Sequence, residues 1–243
     1  MADIITNHIV DFYELEWDTH FFGVSCAKAV LYGPLDVTQW KGLKSRFERY
    51  EFVSIENRNS DPVNAQLIGR DTSAFLTDVN IQLVKKLTSL DMASNDVRVY
   101  SSFEWDDQLL KMARFQFSKF TEDPGLLRRG GDKVYEQWIS NSFGKGDKFF
   151  AISATKCGVI NGFLLHSYSD DACVVELIAV SSNQVQSGIG TKLFNAVANS
   201  ALRHGFDKLR VGTQVRNVSA INFYHKVGCK QIGCHQVYHL WNT

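Results

Sequence analysis

Several things are scarce in this chain, and each scarcity excludes a class. Its 243 residues include only 3 Pro and no low-complexity or single-charge run, so no rigid proline-rich linker divides it. Neither charge is in surplus, with Lys+Arg 26 and Asp+Glu 26. A nucleic-acid binder usually shows a basic excess, so no nucleic-acid partner is expected. An anionic ligand must then be met by a local site, not by the field of the whole protein. The five cysteines, Cys26, Cys157, Cys173, Cys229 and Cys234, are odd in number and form no C-x-x-C pair. That argues against a disulfide framework or a zinc site, and it suits a reducing compartment. The opening MADIITNHIV has no basic stretch leading into an apolar one, and no apolar run approaches 18 residues. Neither a signal peptide nor a membrane span is expected. The expectation is a soluble, cytoplasmic protein with no metal.

What is present points to a folded protein: 44% hydrophobic and 12% aromatic residues are incompatible with general disorder. The length suits one large or two small domains. A polar dip from Thr88 to Asn95 separates two patterned regions, which gives an N-terminal α/β domain over 1–93 and a larger domain over 94–243. In the first, strands are expected at Ser25–Leu31, Phe52–Ile55 and Val79–Leu83. A helix is expected at Thr38–Tyr50, where Trp40, Leu43 and Phe47 share a face. In the second, helices are expected over Trp105–Phe117 and Asp132–Phe143, followed by a hairpin of Phe149–Ala154 with Val159–Ser167. A buried strand at Val174–Val180 precedes the strongest helix, Ile189–His204, with Gly205 closing it. A strand at Leu209–Thr213, a short helix at Asn217–Val227 closed by Gly228, and a final strand at Val237–Trp241 complete the pattern. The fold class is α/β (α+β), with a mixed sheet.

The informative segment runs from Val174 to Phe194. A strand ends, a polar loop follows, and Gly188-Ile189-Gly190 opens a helix. The first turn of a helix leaves N–H groups unpaired at the positive end of its dipole, so a pyrophosphate can be held there by main chain. Two nucleotide patterns fail. The dinucleotide fingerprint needs a third glycine where Leu193 stands, and the Walker pattern needs G-K-[ST] where Gly190-Thr191-Lys192 stands. Downstream lies KLRVGTQVRNVSAINFYHKVGC, Lys208 to Cys229.

Strand, G-x-G helix, strand, then a helix bearing N-x-x-A-x-x-F-Y-x-x-x-G resembles the GNAT superfamily of acyl-CoA N-acetyltransferases. The match is good over Val174–Cys229 and extends over Val97–Trp241. It departs from the family at Val185, where Arg or Gln is usual, with Gln184 and Gln186 on either side. LEWDTHFFG (Leu15 to Gly23), FSKFTEDP (Phe117 to Pro124), Tyr135 with Trp138, and RVGTQVRN (Arg210 to Asn217) further resemble the dTDP-fucosamine acetyltransferases. That resemblance implies a GNAT fold, a mixed central sheet with helices on both faces, preceded by a smaller α/β domain like an incomplete GNAT fold. It implies acetyl-CoA as co-substrate, a nucleotide-linked amino sugar as acceptor, and direct attack in a ternary complex. Gln186, Ser187, Gly188, Ile189, Gly190, Thr191 and Asn217 become the CoA-binding residues. Main chain at Ile178, Ala179 and Val180 becomes the group that polarises the thioester.

Tyr224 matches the family tyrosine that serves the departing thiolate, and its bland alternative is a core residue beside Phe223 and Val227. Glu176 interrupts an apolar strand, so its carboxylate must be paired or face solvent. It is either a base for the acceptor amine or part of a polar rim. Asn217 either contacts CoA or caps the helix that follows, or does both. Trp17, Phe21 and Phe22, clustered with Asp18 and His20, are either a wall of the sugar-nucleotide site or a turn packed on the core. His225, His235 and His239 lack partners at metal-ligand spacing, and Cys229 and Cys234 have no visible base. Arg128, Arg129 and Arg216 are candidates for a diphosphate or simply solvated charges. The aromatic-rich final strand offers an edge for homodimer pairing. Two other functions stay open: a GNAT enzyme for a peptide, polyamine or aminoglycoside, and a non-catalytic acyl-CoA sensor.

Overall fold

A computed structural model describes residues 8–90, 96–169, 171–181 and 187–242. In chain order the elements are β1 (Val10–Glu14), α1 (Glu16–Phe22), β2 (Cys26–Leu31), α2 (Val37–Phe47), β3 (Phe52–Asn57), α3 (Pro62–Asp71), β4 (Phe75–Lys86), β5 (Val97–Ser101) and α4 (Asp107–Met112). There follow α5 (Lys119–Glu122), α6 (Pro124–Leu127), α7 (Val134–Ser142), β6 (Phe149–Ala154), β7 (Ile160–Tyr168), β8 (Cys173–Val180), α8 (Ile189–Arg203), β9 (Lys208–Gln214), α9 (Val218–Lys226) and β10 (Lys230–Trp241). They form two compact units: residues 1–81, 117–131 and 233–243, and residues 82–116 and 132–232. The boundary expected at residues 93 and 94 lies outside the described residues.

In the first unit the strand order is β1-β2-β3-β10-β4. β2 and β3 are parallel over six registered pairs, from Cys26 with Phe52 to Leu31 with Asn57, and β10 runs antiparallel to β3. The final strand is longer than Val237–Trp241 and is flanked on both sides. It has no free edge to offer, so the expected dimer pairing through it does not hold. α2 starts at a capping box, in which the Asp36 carboxylate accepts from Gln39 N–H and the Gln39 side chain accepts from Asp36 N–H. α3, which no hydrophobic period announced, starts at Asp61-Pro62: the carboxylate accepts from Val63 and Asn64 N–H, and proline fixes the first turn. Both helices bury Trp40, Leu43, Phe47, Leu67 and Ile68 against Ala29, Leu31, Val53, Ile55 and Tyr238. Each large side chain so buried contributes about 1.5–3 kcal/mol.

The other face of that sheet mixes buried apolar side chains, among them Val30 and Phe52, with polar ones. Asp123, buried, takes hydrogen bonds from Trp241 Nε1 (3.0 Å) and Gly125 N–H (2.7 Å) and meets His239 Nδ1 at 2.7 Å. Burial works against its charge, but these donors win and hold the carboxyl below its usual range. A Cβ at Gly125 would come within 2.5 Å of the Trp241 ring, so this position of the chain has room only for glycine. The FSKFTEDP stretch therefore has a structural task at its acidic end.

In the second unit the strand order is β4-β9-β8-β7-β6-β5, antiparallel from β5 to β8 and parallel between β8 and β9. α4 and α7 cover one face through Leu109, Ala113 and Ile139 on Phe150, Phe163 and Leu165. α8 covers the other with its stripe of Leu193, Phe194, Val197, Ala198 and Ala201, all buried. Gly162 lets α8 approach closely, because a Cβ there would lie 3.1 Å from Ile189 Cγ2 and 3.2 Å from Leu193 Cδ1. The mixed sheet with helices on both faces is thus observed. The helix expected over Trp105–Phe117 is shorter, ending at Met112, because Ser118 serves a different helix as cap, accepting from Phe120 N–H, and Phe117 already belongs to the first unit. No described helix is long and apolar enough to cross a membrane.

Candidate active site

The parallel pair β8–β9 opens partway along its length. Cys173, Val174 and Val175 register with Leu209, Arg210 and Val211. Beyond them both strands continue, to Val180 and Gln214, with no further registered pair among the described residues. On its other edge β8 stays paired to β7 through Leu177, Ile178, Ala179 and Val180. The main chain of these residues is therefore held firmly on one side and released on the other. Free N–H groups on such an edge are able to receive a carbonyl oxygen.

At the point of opening the register of β7 and β8 shifts: Leu165 pairs with Leu177 and His166 with Val175, which leaves Glu176 as the extra residue. A bulge of this kind re-aims side chains. Glu176, its side chain 7% exposed, receives the Lys148 ammonium on Oε1 at 2.5 Å and Trp138 Nε1–H on Oε2 at 2.9 Å. Both oxygens are engaged, so the carboxylate is a paired ion, the first of the two conditions its place in an apolar strand required. To take a proton it must use a spare lone pair or give up a partner. Lys148 and Trp138 were not assigned this part from sequence. They lie 28 and 38 residues from Glu176, and only the α7 aromatic pattern hinted at Trp138.

α8 begins at Gly188, which has a left-handed φ of 83° and no side chain to cap the helix. Nothing lies within 4 Å of where its Cβ would be. The N–H groups of Ile189, Gly190 and Thr191 precede the first i→i−4 partner, Lys192 N–H to Gly188 C=O at 3.1 Å. They are the donors a pyrophosphate needs. Gly190 has a second reason to be glycine: a Cβ there would stand 3.2 Å from the Phe223 ring, so it also admits α9. Ser187 is described beside this turn, whereas Gln186 and Val185 lie outside the described residues.

Asn217 caps α9, its Oδ1 accepting from Ala220 N–H at 3.1 Å. The capping role is thus present, and the Nδ2 side of the amide remains for a ligand. Tyr224 is 4% exposed, with its ring against Phe223 and Phe194 at 5.2 and 6.3 Å. Its hydroxyl has no hydrogen-bond partner among the described residues, and burial pushes its pKa upward. The ring is thus packed in the core while the hydroxyl keeps its proton and has no partner among the described residues. In the first unit, Trp17 and Phe21 stack at 4.7 Å, Phe21 meets Phe22 edge-on at 5.0 Å, and Phe22 is buried against Phe120. Trp17 is 39% exposed, so the cluster has both a packed side and an open one. No group of three or more metal-ligating side chains occurs among the described residues.

An opened parallel pair, an uncapped glycine-led helix and a buried tyrosine suit acetyl-CoA: the residues at α8 fit its pyrophosphate and the free β8 edge fits its thioester. The comparisons agree. The model of the acetyltransferase (GNAT) family matches residues 107–229. The spore coat polysaccharide biosynthesis protein SpsD of Bacillus subtilis (strain 168) is 26% identical over 137 residues, 56% of this chain and 47% of that protein. The match thus spans about half the length of that curated relative. A GCN5-related N-acetyltransferase from Sphaerobacter thermophilus shares the fold with TM-score 0.63 at 12% identity, covering 96% of this chain and 76% of that one. So does a functionally unknown conserved protein from Staphylococcus epidermidis ATCC 12228, with TM-score 0.68, 15% identity and coverage of 100% and 94%. The chain belongs to the acetyltransferase (GNAT) family.

Proposed function

We propose that the enzyme transfers acetyl from acetyl-CoA to the amino group of a nucleotide-linked amino sugar, of the dTDP-4-amino-4,6-dideoxyhexose type, in the biosynthesis of a polysaccharide. The observation that carries the transfer is the pairing of an opened β8–β9 edge with an uncapped α8. For the acceptor, support comes from the likeness to a polysaccharide-biosynthesis protein and from the half-open aromatic cluster of Trp17, Phe21 and Phe22 in the first unit, which these residues would present to the sugar nucleotide.

In this reading Gln186, Ser187, Gly188, Ile189, Gly190 and Thr191 hold the pyrophosphate, with Asn217 contributing its free amide hydrogens. Main chain at Ile178, Ala179 and Val180 polarises the thioester carbonyl. The amine nitrogen forms the new N–C bond, the C–S bond breaks, and the amine proton leaves towards Glu176. Because Lys148 and Trp138 already engage that carboxylate, a lone pair beyond those two bonds, or a water, takes the proton. Tyr224 donates to the thiolate as charge grows on sulfur. An ordinary tyrosine at about 10 and a thiol at about 8.5 already make full transfer uphill by roughly 2 kcal/mol, and burial of Tyr224 makes it more so. Tyr224 therefore acts by a hydrogen bond that strengthens along the reaction.

The test is a turnover screen with acetyl-CoA against amino-sugar nucleotides, polyamines and peptides, reading free CoA. The amino-sugar nucleotides should give the highest kcat/KM. A polyamine or peptide that exceeds all of them would overturn the acceptor assignment while leaving the acyl-transfer chemistry in place.

A further inference from the structure

Lys148 enters the chemistry above only as a partner of Glu176, yet its place in the fold is closely fixed. It directly precedes β6, whose first residue, Phe149, registers with Ser101 of β5 on one side and His166 of β7 on the other. From there the ammonium reaches Glu176 Oε1 at 2.5 Å, with the lysine side chain 26% exposed and the carboxylate 7%. Taking two charges this far out of water costs about as much as their attraction returns, so stability alone is a poor reason for the pair.

The other elements packed around the carboxylate bring it no charge. α7 presents Trp138, whose Nε1–H donates to Oε2 at 2.9 Å and whose ring stacks on Tyr135 at 6.3 Å. β7 sets Leu165 and His166 opposite the bulge. Leu165 is apolar, and burial holds the His166 pKa down to about 3, so that ring is neutral near pH 7. Lys148 thus supplies the charge that meets Glu176. A carboxylate has about four acceptor positions, and Lys148 and Trp138 take one on each oxygen. The others remain for the N–H of an incoming amine.

An amine attacks a thioester only as the free base. A simple alkyl amine such as that of lysine loses its proton near about 10.4, so at neutral pH most of it arrives as an ammonium. A lone carboxylate in the site would stabilise that ammonium and hold the nitrogen in its unreactive form. A cation beside the carboxylate reverses the effect. The amine and Glu176 then titrate as a couple, and the Lys148 charge makes the couple release its shared proton at lower pH. Once the N–C bond forms, the nitrogen carries a positive charge and becomes strongly acidic. The paired carboxylate is then base enough to receive its proton.

We propose that Lys148 is a positioning residue that keeps the acceptor amine in its uncharged, nucleophilic form by cancelling the charge of Glu176. This role rests on the function proposed above, in which the amine proton leaves towards Glu176. The experiment is kcat against pH from 6 to 10 on the full chain, with saturating acetyl-CoA and a dTDP-4-amino-4,6-dideoxyhexose, and with spermidine as a second acceptor. Lys148→Gln keeps a donor for Oε1 but removes the charge, and Lys148→Arg keeps both. In Lys148→Gln the acidic limb of kcat should move up by about one pH unit, which lowers kcat about 10-fold at pH 7 and restores it to within 2-fold at pH 9.5. Lys148→Arg should keep the limb of the wild type. Glu176→Gln leaves the lysine charge unopposed, so its limb should move the other way by about one pH unit; this reading stands even if Lys148→Gln does not fold. A limb that stays in place in these variants, or a loss in Lys148→Gln of the same size at every pH, would overturn the role and leave Lys148 a structural partner. A plateau kcat unchanged in Glu176→Gln, with its limb displaced, would instead remove Glu176 as the proton acceptor and leave the charge effect standing. Turnover of spermidine but not of the sugar nucleotide would remove the acceptor assignment alone. Turnover of neither would remove the proposed function and this role with it.

Discussion

Each unit contains one β-α-β-α run, β2-α2-β3-α3 in the first and β8-α8-β9-α9 in the second, and the two differ at the places where an acyl-CoA would bind. In the first run the parallel strands are registered over six pairs and leave no opening; in the second they register over three and then part. In the first run the helix that follows the leading strand is capped by the Asp36 carboxylate, which occupies the Gln39 N–H and sets a negative charge where an anion would sit. In the second, Gly188 supplies no side chain to cap the helix. The same chain path thus gives a closed scaffold or an edge with open main-chain donors, according to one capping residue and three strand pairs.

The sharpest way to break this contrast is to give the second helix the cap of the first. Gly188→Asp places a carboxylate at the start of α8, where a left-handed φ is tolerated by Asp and Asn better than by other residues and the space around Cβ is free. Two unit charges about 4 Å apart near a protein surface interact by about 4 kcal/mol. Acetyl-CoA should therefore bind on the order of 10²–10³-fold more weakly, and by less than 10-fold in Gly188→Asn, which matches the shape without the charge. Calorimetry at low and high salt checks this. Equal losses in the two variants would mean that the glycine is there for its backbone alone.

A second test concerns the helix that closes each run. α3 carries no tyrosine, whereas α9 brings Tyr224 to a buried position with its hydroxyl unpaired among the described residues. Tyr224→Phe keeps the ring packing on Phe194 and Phe223 and removes only the donor. The expected outcome is a fall in kcat of about 10²-fold, with substrate binding constants nearly unchanged. The loss should shrink with an acyl donor whose thiol has a lower pKa. Near-native kcat when chemistry limits the rate would return Tyr224 to a packing role only.

Much of the second run was legible in sequence because its signals are local. The apolar stripe of α8 is continuous, and Gly205 and Gly228 stand just past their helices with φ of 85° and 91°, as closing glycines should. The caps at Asp36 and Asp61 are equally local, but a carboxylate before a helix looks the same whether it ends a loop or starts a turn, so α3 went unseen. The pairs that build the site are not local. The bulge at Glu176 follows from its register with β7, and Lys148 and Trp138 reach it from other elements. No spacing rule connects them. Nor did any pattern reveal that β10 returns to the first unit to pair with β3, because strand partners are chosen by tertiary packing.

The smallest effect at neutral pH is expected in the sheet itself. On the face of the first run that meets α2 and α3, the buried amides are paired, Asn57 Oδ1 accepting from Asn64 Nδ2 at 3.2 Å, but the face of the second that meets α8 carries His166, fully buried, with neither ring nitrogen hydrogen-bonded among the described residues. It packs on Phe149 at 5.4 Å and edge-on to Tyr168 at 5.6 Å. Burial, aided by the charge of His204, pushes its pKa down to about 3. An unsatisfied buried polar group costs about 1–3 kcal/mol, so His166→Leu should stabilise the protein by about 1 kcal/mol at pH 7. The pH dependence separates this from simple packing. The folded state keeps His166 neutral while the unfolded chain binds a proton below about 6.5, so the unfolded state gains from acid and the wild type loses stability as pH falls from about 6.5 towards 3. The loss approaches about 1.4 kcal/mol per pH unit. His166→Leu removes that slope, so its advantage should grow by about 2 kcal/mol between pH 7 and pH 5. Urea midpoints of both proteins at the two pH values measure it. An advantage that stays constant with pH would mean that the imidazole reaches a proton partner in the folded state.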